Sequence, residues 1–191
     1  MKIAISGTHS TGKTTFLEAI RNAVTPTQLH TISKLAPKAA SHGFPILKQH
    51  TFESTLWLMA AGIKYELEAS LKLPVVLVDR PVMEAYAYLN AALKHRGVDI
   101  DARQRDYLEA LARHHAGTYD LLIKTVLDES LPIAVRENKR DHDAPFRALV
   151  DVEIDSLYAR WGLPLRRLEI GDGRLLAETI ERVREGLSAA G

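Results

Sequence analysis

Cysteine is absent from the 191 residues. That excludes disulfide staples, thiolate metal sites and cysteine nucleophiles. An excess of one charge sign is missing too. The 25 Lys and Arg against 24 Asp and Glu leave a formal charge of +1, so nothing global favours nucleic acid or an anionic membrane, a local basic patch aside. No apolar run approaches the roughly 20 residues of a membrane-spanning helix. The apolar start Met1-Lys2-Ile3-Ala4-Ile5 is too short for a signal peptide, and the expectation is a cytoplasmic chain with no membrane partner. Internal repeats and low-complexity linkers are also lacking. What is present is ordinary for a globular chain: 46% hydrophobic and 26% charged residues. The length suits one domain over 1–191, with a small mobile lid, and suffices to bury about two-thirds of the unfolded surface.

Apolar runs of strand type alternate with helical stretches. Ile3-Ala4-Ile5 precedes a glycine-rich turn and a helix over Thr14–Val24, closed by Thr25-Pro26. Gln28–Ile32 reads as a second strand, Lys34–His42 as a short helix and Thr51–Leu73 as a long one ended by Pro74. Val75-Val76-Leu77-Val78 lacks alternation, as a central parallel strand buried on both faces does. Helices over Met83–His95 and Ala102–His115, a strand over Asp120–Leu127, a helix over Ala144–Trp161, a strand over Leu165–Ile170 and a closing helix over Leu175–Leu187 follow. The pattern predicts an α/β fold: three layers, with a five-stranded parallel sheet between helices. Ligands bind such sheets at the carboxyl ends of the strands.

Gly7-Thr8-His9-Ser10-Thr11-Gly12-Lys13-Thr14 fits G-x-x-x-x-G-K-[ST], with Thr15 next. Glycines at 7 and 12 permit unusual backbone angles and let amides approach phosphate oxygens. The helix that follows adds its positive dipole end. In this motif Lys13 reaches the β- and γ-phosphates, the Thr14 hydroxyl ligates Mg²⁺, and Thr15 can donate to an α-phosphate oxygen. Residues 7–15 are therefore the candidate site for ATP or GTP, with His9 and Ser10 more plausibly spacers than catalysts.

A second strand end carries charge. Val75–Val78 runs into Asp79-Arg80-Pro81. An acid there can hold Mg²⁺ or take a proton from a hydroxyl acceptor. Arg80 suits an anionic acceptor or the transferring phosphoryl group. The competing reading is Asp79 as the cap of the next helix. Glu84 either faces the cleft or is simply an acid in a first helical turn.

Asp79-Arg80 followed by Ala85-Tyr86-Ala87-Tyr88 resembles the DR-x-x-x-S-x-x-A-Y segment of thymidylate kinases and their deoxynucleoside kinase relatives, and Leu56–Lys64 resembles their substrate helix. The loop Gly7–Thr15, with Tyr119-Asp120, Pro132, Arg136, Tyr158 and Leu163-Pro164, resembles the ribosylnicotinamide-kinase-like AAA-type ATPases. The likeness implies a P-loop nucleoside or nucleotide kinase fold using ATP and Mg²⁺. It implies Glu53, Trp57, Arg80 and Glu84 on the acceptor, Thr14 and Asp79 on the metal, and Lys13, Asp79, Arg80 and lid arginines in catalysis, although a tryptophan such as Trp57 or Trp161 is more often a core residue than a base platform. Two departures leave the acceptor open. Met59, Ile63 and Lys64 stand near where thymidylate kinases carry an aromatic and an arginine, and Ala134-Val135 stands where the other branch carries Asp-Gly.

The charge-dense segment Pro132–Pro145 suits a lid, placed at about 128–146, with Arg136 and Arg140 closing over the phosphates and Arg147 behind them. A solvated loop is the plain alternative. Gly171-Asp172-Gly173 reads as a turn; the resemblance implies that it borders the adenine, and a turn chosen only for backbone freedom is the equal alternative. His114-His115 reads as a helix end. The expected function is transfer of the ATP γ-phosphoryl group to a nucleoside, nucleotide or similar small acceptor. The alternatives are a kinase of nucleic-acid ends or modified bases, and an NTP-hydrolysing switch with no small acceptor. Oligomeric state is left open, a homodimer included.

Overall fold

Strand β1, Lys2–Ser6, has four consecutive buried residues after Lys2, as a strand flanked on both sides must. The computed structural model of the chain describes residues 1–8, 11–24, 28–127, 143–169 and 171–189. The elements after β1 are α1 (Lys13–Ala23), β2 (Leu29–Ile32), α2 (Leu35–Ser41), α3 (Phe52–Ser70), β3 (Val75–Asp79), α4 (Val82–Arg96), α5 (Ala102–Ala116), β4 (Leu121–Thr125), α6 (Ala144–Arg160), β5 (Leu165–Leu168) and α7 (Gly173–Ser188). A 3₁₀ turn at Leu47–Gln49, unforeseen in the sequence, precedes α3.

All strand pairings are parallel, in the order β2-β3-β1-β4-β5. Two apolar cores sandwich the sheet. On one face Ile3, Ile5, Leu77 and Ile123 meet Phe16 and Ile20 of α1 and Leu175 and Val183 of α7. On the other, Ala4, Val76, Val78 and Leu122 meet Met59 of α3, Tyr86 and Leu89 of α4, Leu108 of α5 and Phe146 and Ile154 of α6. α4 is the most deeply buried helix of that layer, with eleven of its fifteen residues inside, so what it carries at its N-terminus is held firmly. Residues 143–146, reckoned to the lid, form the start of α6: Asp143 caps it by accepting from Phe146 N at 2.9 Å. The rest of the predicted lid, with Pro132, Ala134, Val135, Arg136 and Arg140, lies outside the described residues, as do His9, Ser10 and Thr25-Pro26.

Order matters for the site. β1 and β3 are neighbours with Ile5 opposite Asp79, and β4 flanks β1 with Ser6 opposite Lys124. The glycine loop leaving β1, the Asp79-Arg80 end of β3 and the Thr125 end of β4 therefore meet at one edge.

Candidate active site

The loop after β1 is shaped by its neighbours. Gly7 has φ +132, and a Cβ there would lie 2.1 Å from Thr125 Oγ1. Only glycine allows β4 this close, and Thr125 uses the approach to reach Thr11 Oγ1 at 2.5 Å and to donate to Ser6 O at 3.2 Å. Gly12, at φ +85, occupies the capping position of α1 in the left-handed region. Lys13 Nζ turns back over the loop, donating to the carbonyls of Gly7 (2.6 Å) and Thr8 and to Thr11 Oγ1 (3.3 Å). Its ammonium thus rests inside the cradle. Thr11, Gly12, Lys13, Thr14 and Thr15 all line one cavity of about 830 Å³.

Asp79, Arg80 and Glu84 line the same cavity. Asp79 is not the cap of α4; that position belongs to Pro81, which offers no side-chain acceptor. Asp79 Oδ1 is buried with no hydrogen-bond partner among the described residues. Arg80 has a left-handed backbone, φ +73, a strained choice for a residue with a side chain. Its amide donates to Ile5 O at 3.0 Å, and its guanidinium pairs with Glu84 and donates to Tyr88 OH at 2.9 Å. Glu84 is neither solvated nor free to face an acceptor alone. Buried to 2% exposure, it accepts from Ser6 Oγ at 2.9 Å and from Gly7 N at 3.0 Å while it holds Arg80. One carboxylate, in the first turn of α4 and on the cavity wall, thus ties the glycine loop to the strand-end arginine.

Beyond Arg80 the cavity is walled by Leu35, Ala36, Pro37 and Ala40 of α2, Leu58 and Gly62 of α3, and Val82, Ala85 and Tyr88 of α4. His50 completes it; burial first, then Arg96 and Arg80, push its pKa down to about 3, so the ring is neutral. Burial likewise pushes the Tyr88 and Tyr158 hydroxyls above their ordinary range, keeping both protonated. Among the described residues, the non-glycine positive-φ residues are Lys34, Leu47 and Arg80, and all three line this cavity. Strain concentrated around one space is a mark of a working site.

The structure does not bring every candidate here. Glu53 is exposed on the first turn of α3. Trp57 packs on His42 and Phe44, with ring centroids 5.5 Å apart in each pair, and is not on the cavity wall. Helix α3 turns Leu58 and Gly62 inward, and a residue one position before Leu58 points about 100° away. Neither Glu53 nor Trp57 is among the residues that line the cavity, and for Trp57 the packing agrees with its reading as a core side chain. Asp172 caps α7 by accepting from Leu175 N at 3.0 Å, and Arg147 is buried on α6. His50, Thr125 and Tyr88 escaped the sequence reading as site residues. Nothing local marks a lone histidine before a helix or a threonine ending a strand; only the strand order puts Thr125 beside Gly7.

A family model described as an AAA domain matches residues 2–174. The chain belongs to this AAA-domain family. No curated protein matches the sequence. Among solved structures, deoxyadenosine kinase from M. mycoides with bound dATP superposes with a TM-score of 0.67 at 15% identity over 97% of this chain and 100% of that one. Thymidylate kinase from Candida albicans gives 0.59 at 15% over 99% and 91%. The NadR protein in complex with NR gives 0.65 at 16% over 97% of this chain and 50% of that one. The AAA domain therefore has the fold of P-loop nucleoside and nucleotide kinases.

The AAA domain also has a donor set that fits a divalent cation. Asp79, whose buried Oδ1 has no hydrogen-bond partner among the described residues, and Thr14 line the same cavity as Lys13, and such hard oxygen donors could hold a hard divalent cation.

Proposed function

We propose that the chain is a Mg²⁺-dependent kinase that transfers the γ-phosphoryl group of ATP to a nucleoside, a nucleotide or a similar small acceptor. The observation that carries the reading is the continuity of the cavity from Lys13 and Thr14 past Asp79 and Arg80 to the apolar lobe under α2, α3 and α4. The apolar side chains that α2, α3 and α4 contribute to the cavity suit a small acceptor. A nucleic-acid end would need an open basic groove, and a hydrolytic switch would need no lobe.

In this scheme the loop amides and Lys13 hold the donor phosphates, Lys13 leaving the Gly7 and Thr8 carbonyls for them. Thr14 and Asp79 would hold the metal, which when bound neutralises charge on the β- and γ-phosphates. The bond from the γ-phosphorus to the β-bridging oxygen breaks as a bond to the acceptor oxygen forms. With a hydroxyl acceptor, Asp79 Oδ1 takes the departing proton; with a phosphate acceptor, Asp79 serves the metal alone. Arg80 orients the acceptor and the transferring group, and lid arginines 136 and 140 complete the charge clamp. Gly7, Thr8, His9, Ser10, Thr11, Gly12 and Thr15 form the cradle.

A radiolabelled-ATP transfer screen over nucleosides, nucleotides and oligonucleotides tests the reading. Label should move to a nucleoside or nucleotide, Lys13→Ala should abolish transfer, and Arg80→Ala should damage acceptor use far more than ATP binding. Label released only as inorganic phosphate, or moved only to oligonucleotides, would refute it.

A further inference from the structure

Glu66 lies in the middle of α3, wholly buried, and takes no part in the scheme above. A buried carboxylate is costly unless its oxygens are satisfied. Here Tyr119 OH donates to Oε1 at 2.8 Å, while His115 Nε2 lies 2.8 Å and Lys2 Nζ 3.2 Å from Oε2. Strand β1, helix α5 and the connection from α5 to β4 thus converge on one acid. The tyrosine is the informative partner. With its proton committed to Glu66, its oxygen is left to accept, and it accepts from the backbone N–H of Val82 at 3.1 Å.

Val82 is the first residue of α4, and Pro81 before it supplies no side-chain cap. First-turn amides of a helix have no partner within the helix. This one is satisfied by a side chain 37 residues further along. Two residues upstream stands Arg80 in its left-handed conformation, and two residues downstream Glu84, joined to the glycine loop. A strained backbone persists only where its surroundings over-determine it. Arg80 is pinned from the sheet side by Ile5 O. From the helix side, the pin next to it is the bond between Tyr119 and Val82.

We infer that Tyr119, oriented by Glu66, is a positioning residue for Arg80. It is not among the residues that line the cavity; it fixes the first turn of α4, and that turn aims the guanidinium. In its activity arm this inference rests on the kinase reading, but its structural arm does not.

The test is Tyr119→Phe, followed by NMR and by kinetics. In the variant, hydrogen exchange at the Val82 amide should rise about tenfold or more relative to the core amides of β1, and the Arg80 Nε–Hε resonance should shift. ATP affinity, measured by titration with ATP, should stay within about twofold, while kcat/KM for the acceptor falls about tenfold, the scale of one lost buried hydrogen bond. Unchanged Val82 exchange and an unmoved Arg80 signal would overturn the inference, as would ATP affinity falling in step with acceptor use, which a general loosening would produce. If the parent protein transfers phosphate to no acceptor, the kinase reading fails, and the NMR arm still decides the positioning role. Should Tyr119→Phe not fold, Glu66→Gln keeps an acceptor oxygen for the hydroxyl. It should leave Val82 protected and Arg80 in place; a displaced Arg80 with Val82 still protected would overturn the link between the two.

Discussion

Glu84→Ala is the most incisive perturbation of the site. Glu84 is buried to 2% exposure and receives the Gly7 N–H at 3.0 Å, the Ser6 hydroxyl at 2.9 Å and the Arg80 guanidinium. Truncation leaves the buried Gly7 N–H orphaned, at a cost of about 1–3 kcal/mol. Ser6 can turn its hydroxyl elsewhere and adds little. Arg80, a third exposed, regains water, so its lost partner is discounted to about 0.5–1 kcal/mol. The sum is about 3 kcal/mol, which for a chain of this length lowers Tm by roughly 6–12 °C. Differential scanning calorimetry, with urea unfolding as a check on two-state behaviour, reads the change. Glu84→Gln should recover part of it, because a carboxamide oxygen can still accept from Gly7, but it cannot restore the ion pair. A Tm for Glu84→Ala within about 2 °C of the parent would mean that the carboxylate does not brace the loop, and the link between β1 and α4 would have to be abandoned.

Two further outcomes follow from the cavity walls. His50 has its pKa lowered from 6.5 to about 3 by burial and by Arg96 and Arg80. The unfolded chain therefore binds a proton at His50 before the folded one does. Its contribution to stability is whole above pH 6.5 and is lost as pH falls toward 3, by at most about 1.4 kcal/mol per pH unit. His50→Gln should flatten that part of the stability-against-pH curve, and an unchanged slope would count against a neutral buried ring. At Gly62, an added Cβ would sit 3.2 Å from Val82 Cγ2 and 3.5 Å from Leu35 Cδ1, so Gly62→Val should intrude on the acceptor lobe and raise acceptor KM about tenfold with ATP affinity unchanged. Equal acceptor kinetics in parent and variant would place the acceptor elsewhere.

Much of the architecture is legible in the residues. The runs Ile3–Ile5 and Val75–Val78 lack alternation because both faces are covered, and that alone marks them as central parallel strands. The helix over Lys13–Ala23 is announced by Gly12-Lys13 and its period. Element bounds shift by up to three residues: α3 stops at Ser70 rather than Leu73, since only the side chains that meet the sheet carry a signal. The 3₁₀ turn at Leu47–Gln49 has no such signal, because Leu47 in a left-handed conformation contradicts local preference.

The site divides along the same line. Sequence by itself determined the glycine loop that the proposed function assigns to phosphate, because Gly7, Gly12, Lys13 and Thr14 belong to one loop and their spacing is their geometry. It also determined that a charged strand end, Asp79-Arg80, exists. Only the tertiary structure decided which strands stand side by side, and so which side chains share the cavity. Glu84, read from sequence as either a cleft-facing residue or an acid of a first helical turn, lines the cavity from the first turn of α4 and is also the buried brace between Gly7 and Arg80. Trp57 and Glu53 share α3 with Leu58 and Gly62 but do not line the cavity, because their angle around the helix axis differs. The contacts from Thr125 to Thr11 and from Tyr119 to Val82 span 114 and 37 residues of chain. No local pattern encodes such pairs, because they arise from the order of strands in the sheet and the packing of helices upon it.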